Sequence, residues 1–395
     1  MLKSNISWLA AAFVAVPLVS ACADDKSEPA NPVSPYNPTE KPSEQPSAAG
    51  YTIGEISTVF GFTAQNRYSY CPSVLAHSDG SADIYFCGNP TREVMIDNVY
   101  HISTAADGSR STERSVLQPG AQGTWDSQHT CDPSVVKGAF KMDGHTYSYA
   151  MFYLGSPIEY YYNEVGVAFA DTPDARQWVK YPRAIVNKSW DTEGDLPYAP
   201  GAYCWGTGQP SAISLDNAGK MLLTYTLGDL AGTRLMVSEV DFSDMAHPVI
   251  SGPVQVSQRG LINSLGADGD YICDADIALE PESSTLVMIR PVQPHPDTYP
   301  AYINASLDVC AIPFDDFRRG TGTWKQLYRI TPEKTGYPRN HNACISRDDY
   351  GRLSTLTDIT LYFTTASQAP DVAPETGRHA EWTYTIRRAT ITHTP

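Results

Sequence analysis

The stretch that decides the fold is CDPSVVKGAFKMDGHTYSYAMFYLG, residues 131–155. A polar step around Asp132 opens an apolar run, Met142-Asp143-Gly144-His145 breaks it, and a second apolar run follows. Asp-Gly between two such runs is a tight-hairpin signal. The same arrangement recurs four more times. CPSVLAHSDGSADIYFC starts at Cys71, QPSAISLDNAGKMLLTYTLG at Gln209, DADIALEPESSTLVMIRP at Asp274, and NACISRDDYGRLSTLTDITLYFTTA at Asn342. Each copy carries its turn in the same place, and the starts are spaced by about 60 to 77 residues, the period of a large repeating unit.

Each copy then gains a third apolar segment: MIDNVYHIST, EVGVAFAD, TRLMVSEVDF, SLDVCAIPF and EWTYTIRRATI. A fourth, outer segment follows in several copies, as in WVKYPRAIV, GPVQVS and WKQLYRI. Long helical periodicity is absent from 51–395. Five four-stranded sheets predict an all-β chain folded as a five-bladed β-propeller over residues 51–395. YTIGEISTVFGFT (51–63) precedes the first copy and is expected to complete the last blade and close the ring. A pair of β-sandwiches is the alternative, but sandwiches do not require five equivalent hairpins.

The N-terminus is of another kind. Lys3, the apolar run ISWLAAAFVAVPLV and VSAC ending at Cys22 read as a lipoprotein signal over 1–22, with Cys22 the lipidated residue. Residues 23–50 hold six prolines and few large apolar residues. They read as an extended tether that cannot bury a core. The expected location is therefore a bacterial cell envelope, with the protein held on the membrane by its lipid. A net charge of −16, with Lys and Arg scattered, argues against nucleic acid as a partner. Seven cysteines remain besides Cys22, without a C-x-x-C pair. Export permits disulfides. Cys71 and Cys87 stand symmetrically about the SDGS turn and are expected to bond across that hairpin, with a nucleophilic Cys71 as the alternative.

In a propeller the starts of the innermost strands converge on one mouth of the central channel. The five equivalent positions are Cys71, Asp132, Gln209, Asp274 and Asn342. Their predecessors include Tyr70 and His341. CDPSVVKG with YSYAMFYLG and NEVGVAFADTPDARQWVKY, and RNHNACISRDDYGRL further on, resemble the second and fifth blades of the five-bladed propeller glycoside hydrolases of families 43 and 32. That resemblance implies carboxylates on the first three blades as base or nucleophile, pKa modulator and acid. It also implies a fifth-blade histidine, here His341, that faces the channel and helps hold a metal ion or a water. Only Asp132 matches the three carboxylates; Cys71 and Gln209 stand at the other two positions, and Gln cannot act as a general acid.

Two readings follow. One is a glycoside hydrolase with a relocated pair, Asp132 with Asp274, and Glu164 as the next candidate acid. Inverting glycosidases keep two carboxyls roughly 6.5–9.5 Å apart to admit a water. The other is a propeller that binds glycans without cleaving them. A scaffold presenting loops to a protein partner is a third class. Tyr70, Trp205, Gln209, Asp276, Arg339 and Asn342 are candidate substrate contacts, and Trp125, Tyr160 to Tyr162, Tyr203 and Tyr337 could add aromatic faces for sugar rings. No cofactor is required; a structural Ca2+ or other divalent ion in the channel is the one metal expected. The protein is expected to act as a monomer.

Overall fold

The computed structural model describes residues 50–61, 68–91, 96–157, 163–187, 205–229, 231–297, 303–366 and 383–394. The signal, Cys22 and all but the last residue of the tether lie outside these residues, as do Tyr160 to Tyr162 and Tyr203. Two short N-terminal strands, β1 (Tyr51–Ile53) and β2 (Ser57–Phe60), precede the first repeat. Blade one is β3 (Ser69–Ala76), β4 (Ala82–Gly88), β5 (Asn98–Thr104) and β6 (Arg114–Leu117). Blade two is β7 (His129–Met142), β8 (His145–Ser156), β9 (Glu164–Ala170) and β10 (Val179–Lys180). Blade three is β11 (Gly206–Ser214), β12 (Lys220–Asp229), β13 (Gly232–Asp241) and two short outer strands, β14 (Val249–Ile250) and β15 (Val254–Gln255). Blade four is β16 (Asp276–Glu280), β17 (Thr285–Pro291), β18 (Leu307–Pro313) and β19 (Lys325–Ile330).

Blade five is β20 (Arg339–Ile345), β21 (Asp358–Ala366) and β22 (Thr385–His393), completed by β1 and β2. Tyr51 pairs with His393 and Ile53 with Ile391, antiparallel. The N-terminal segment thus closes the ring, as its position before the first repeat predicts. α-Helix among the described residues is confined to Phe314–Arg318 and Pro332–Thr335. The arrangement is a five-bladed β-propeller. Five apolar clusters lie between neighbouring blades, for example Val136, Phe152, Leu223 and Phe242 between blades two and three. Burying both faces of each sheet against its neighbours makes the strands near-continuously apolar.

The innermost strands share a local irregularity that explains the recurring polar step. Register shifts fall between Tyr70 and Ser73, Cys131 and Ser134, Gly208 and Ser211, and His341 and Ala343. Cys71, Asp132, Gln209, Asp274 and Asn342 all have positive φ, between 40° and 50°. Such a conformation is uncommon for a side-chain-bearing residue and costs of order 1 kcal/mol or more. A bulge carries an unpaired residue and bends the strand; proline, which cannot donate to a ladder, follows at positions 72, 133 and 210.

Two residues further along lies a second ring, which ties each blade to the next. Ser73 Oγ accepts from Val135 N (3.3 Å), Ser134 Oγ from Ala212 N (3.0 Å), and Ser211 Oγ from Ile277 N (3.1 Å). Asp276 Oδ2 accepts from Ile345 N (2.8 Å), and Cys344 meets the backbone of Val74, which closes the circle. Below this ring the channel is plugged. The turn between β20 and β21 crosses under all four other blades. Its carbonyls at Arg347, Asp349, Tyr350 and Gly351 accept from Ala76, Lys137, Ser214 and Leu279. Arg347 is 2% exposed; its guanidinium donates to Ser134 Oγ (2.9 Å), Ser211 Oγ (3.2 Å) and the Ile277 carbonyl, and lies 3.3 Å from Asp276 Oδ1. The channel is therefore a blind pit open at one end.

Candidate functional site

The pit is lined by the five residues of the first ring, the small residues Pro72, Pro133, Pro210, Ala275 and Ala343 that follow them, and Asp276. The bulge turns each ring residue into the mouth. Asp132 and Asp274, from blades two and four, open into this one cavity.

Their surroundings differ. Asp274 is held on three sides: its backbone N–H faces Gln209 Oε1 (2.9 Å) and Thr226 Oγ1 (3.1 Å), and its Oδ2 accepts from Asn342 Nδ2 (2.7 Å). Asp132 donates its backbone N–H to Cys87 Sγ (2.9 Å), but its buried Oδ2 has no hydrogen-bond partner in the protein. Burial pushes the Asp132 carboxyl up to about 7; the charge of Asp97 adds to this and a hydrogen bond with Cys71 opposes it. Burial also drives Asp274 well above the usual carboxylate range, with the charge of Asp132 adding and the Asn342 hydrogen bonds opposing. A carboxyl driven well above the usual range beside one pushed up to about 7 is the electrostatic setting of an acid–base pair.

The remaining sequence-selected residues occupy distinct places. His341 is buried beside Tyr384, with ring centroids 4.6 Å apart; its Nδ1 meets Asn342 Oδ1 and its buried Nε2 has no partner. Burial lowers its pKa to about 4, a hydrogen bond with Asn342 opposing, so the ring is neutral near pH 7. Glu164 opens β9 opposite Gly155, at the mouth end of blade two but outside the pit lining. Burial raises its carboxyl to about 7. Asp276 belongs to the second ring, its two oxygens taken by Ser211 Oγ (2.6 Å) and Ile345 N, with Arg347 beside it. Tyr70 is buried and donates to Asp97 Oδ2 (3.0 Å). Arg339 is buried at the start of β20 and bonds the Pro338 carbonyl. Trp205 is buried; its side chain packs against Gly208 and Gly228, where any added Cβ would lie under 3 Å from it. Trp125 packs on Tyr153 and Tyr337 on Arg387.

The cysteine pairing differs from the cross-hairpin expectation. Cys87 bonds Cys131, with Cα atoms 5.2 Å apart, and so joins blades one and two. Cys71 is a free, buried thiol. The bulge is the reason: Tyr70, not Cys71, stands opposite Cys87, and Cys71 is turned into the pit toward Asp132. Cys273 is disulfide-bonded as well. Burial, then the charges of Asp132 and Asp274, holds the Cys71 thiol well above its ordinary pKa, the opposite of an activated nucleophile.

Residues that sequence reasoning passed over include Asp97, His129 and Arg347. Asp97 lies behind Tyr70 and accepts from Tyr68 Oη (2.7 Å) and Tyr70 Oη, with His129 Nδ1 at 3.1 Å. Nothing in the repeat pattern marks Asp97 or His129, since both reach the cluster by tertiary contact. Arg347 had a signal: it opens the RDDYG turn of the fifth copy, where the turns SDGS, MDGH, DNAGK and EPESS open on no cation.

No family model matches the chain, and no curated protein matches it. Solved structures do. A family 117 glycoside hydrolase from Zobellia galactanivorans aligns with a TM-score of 0.54 at 13% identity, covering 87% of this chain and 90% of that one. The α-L-arabinofuranosidase PaAbf62A from Podospora anserina aligns at 0.54 and 12%, covering 88% and 97%. A GH43_1 enzyme from Xanthomonas citri aligns at 0.50 and 12%, covering 86% and 89%. At such identities the likeness is one of fold: the chain is a five-bladed β-propeller of the architecture seen in glycoside hydrolases of families 117, 62 and 43.

Proposed function

We propose that this protein is a glycoside hydrolase-like protein that takes a glycan end into the pit, with Asp274 as general acid and Asp132 as general base. The observation that carries this reading is the convergence of two buried carboxyls, from non-adjacent blades, on one blind polar cavity. Asp274 is fixed by Asn342 and by its own backbone contacts, as a proton donor to a leaving oxygen must be. Asp132 keeps one oxygen unengaged, as a group that activates a water must. The pair suits inversion, in which acid and base act from opposite sides of the bond. Neighbours of the same fold are described as an arabinofuranosidase and as a GH62 hydrolase in complex with xylotriose, which favours an oligosaccharide over a peptide. Glu164 is the reserve acid on the same face.

His341, neutral and with Nε2 open, is read as the holder of a water or a sugar hydroxyl. A divalent ion beside it would rest largely on waters and neutral amides. The one group of three or more His, Cys, Asp or Glu ligands found close together among the described residues does not include His341. The chain is further proposed to act as a monomer, lipid-anchored through Cys22 in a bacterial envelope. The VSAC sequence and the proline-rich tether support that placement.

The test is a glycan-release screen on residues 51–395, with binding measured on the same glycans. Release that falls at least about 10²-fold in Asp132→Asn and in Asp274→Asn supports the acid–base pair. Binding without release, unchanged in both variants, leaves the non-cleaving reading, which Gln209 and Cys71 at the other ring positions favour. Neither release nor binding removes both.

A further inference from the structure

Beside the pit, three sulfurs and a carboxylate from three strands meet. One ligand atom each from Cys71, Cys87, Cys131 and Asp132 all lie within 4.8 Å of one another, and all four residues are buried. Two of the sulfurs are joined in the Cys87–Cys131 bond and the third, on Cys71, is free. Asp132 Oδ1 lies 3.3 Å from Cys131 Sγ, while its other oxygen is buried without a partner. We propose that these four residues are a binding site for one thiophilic cation of the zinc class, opened when the Cys87–Cys131 bond is reduced.

The geometry fits such an ion. Four-coordinate zinc takes thiolate sulfur at about 2.3 Å and carboxylate oxygen at about 2.0–2.2 Å, which places the tetrahedral ligand atoms of such a set roughly 3.5–3.8 Å apart. The cluster needs only a small contraction about Cys71 and the parting of one S–S bond. The ligands stand on β3, β4 and β7, each fixed in its own sheet, so the site is assembled by the fold. The donor set excludes calcium and magnesium, which take oxygen ligands, and favours Zn2+ or Cd2+. Three thiolates and one carboxylate carry the same formal charge as the four-thiolate structural zinc centres.

The chemistry balances with a dithiol as reductant. The dithiol gives two electrons and two protons to the Cys87–Cys131 bond and closes to its own cyclic disulfide, leaving two new thiols. The cation then displaces the thiol protons to solvent and takes Asp132 as its oxygen ligand. The bond and the ion are thus alternative ways of tying blade one to blade two. The inference stands apart from the hydrolase reading, because metal is read out directly.

The experiment uses the full chain, treated with a dithiol and freed of it without air, then titrated with Co2+. The expected result is one equivalent bound, with sulfur-to-cobalt charge transfer in the near ultraviolet and the visible bands of a four-coordinate ion. Both should vanish on adding Zn2+ and be absent from the oxidised protein. Cys71→Ser should weaken binding at least tenfold, while Cys310→Ser, at a buried thiol far along the chain, should leave it unchanged. A reduced protein that keeps its far-ultraviolet dichroism but shows no charge-transfer band overturns the proposal. So does a Co2+ affinity that Cys71→Ser leaves unchanged, or loss of the fold on reduction, since the site is held to be part of the folded ring.

Discussion

Asp274 and Asp276 are two residues apart on one chain segment, both face the axis, and their circumstances are opposite. Asp274 lies in the mouth ring, in a left-handed backbone conformation, with its carboxyl pushed well above the usual range by burial and then by the charge of Asp132. Asp276 lies one ring lower, with Ser211, Ile345 and Arg347 on its oxygens. The upper ring carries strain and an unengaged carboxylate oxygen; the lower ring is a closed circle of hydrogen bonds over a plug. Depth along the axis, rather than residue type, separates the two. Strain and unmet polar groups persist where surrounding structure over-determines them, which is why they gather at working sites.

The largest expected effect tests the floor. Arg347→Ala removes the cation from a buried pair and strips donors from Ser134 and Ser211. Urea unfolding should show a loss of about 3–5 kcal/mol, the usual result of orphaning one buried charge. A loss under about 1 kcal/mol would mean that the plug is not what holds the blades.

The two aspartates supply the next test, as a matched pair. Asp274→Asn should lower glycan turnover about 10²-fold or more with little change in melting temperature. Asp276→Asn should lower the melting temperature and leave turnover per folded molecule nearly intact. The reverse pattern would exchange the roles of the two rings.

A pH titration sharpens the contrast. Glu164 is pushed from 4.5 to about 7 by burial, so the folded chain binds its proton more tightly than the unfolded chain does. Its contribution to stability is complete below about pH 4.5 and is lost as pH rises through 7. Denaturant midpoints taken from pH 4 to 8 should therefore show a downward component that Glu164→Gln removes. An unchanged slope in the variant would show that the carboxyl is solvated at the mouth.

The smallest effect belongs to the serine circle. Ser73→Ala removes one acceptor and leaves the Val135 N–H without its partner, at a cost of about 1 kcal/mol, measurable as a shift in urea midpoint. The same change at Ser134 should cost more, because Arg347 also uses that hydroxyl.

The sequence by itself determined the repeat, and through it the blades. Hairpin turns between apolar runs depend on local backbone preference and on burial, and both are written residue by residue; the closing role of the N-terminal strand followed from counting strands. The five ring positions were legible for the same reason, since the polar step before each strand is a local break in an apolar pattern. The third letter of that step, Ser73, Ser134, Ser211, Asp276 and Cys344, was equally visible. Its meaning was not, because the partner of each is a backbone N–H on the next blade. Only the tertiary structure decided which cysteines meet, since a bulge of one residue turned Cys71 away from Cys87 and into the pit. It alone decided that Asp276 is spent on the floor while Asp274 is free for the mouth, and that Asp97, 35 residues before Asp132, lends its charge to it. Charges, sulfurs and hydrogen-bond partners act through distance in space, and a repeat fixes that distance only after the ring has closed.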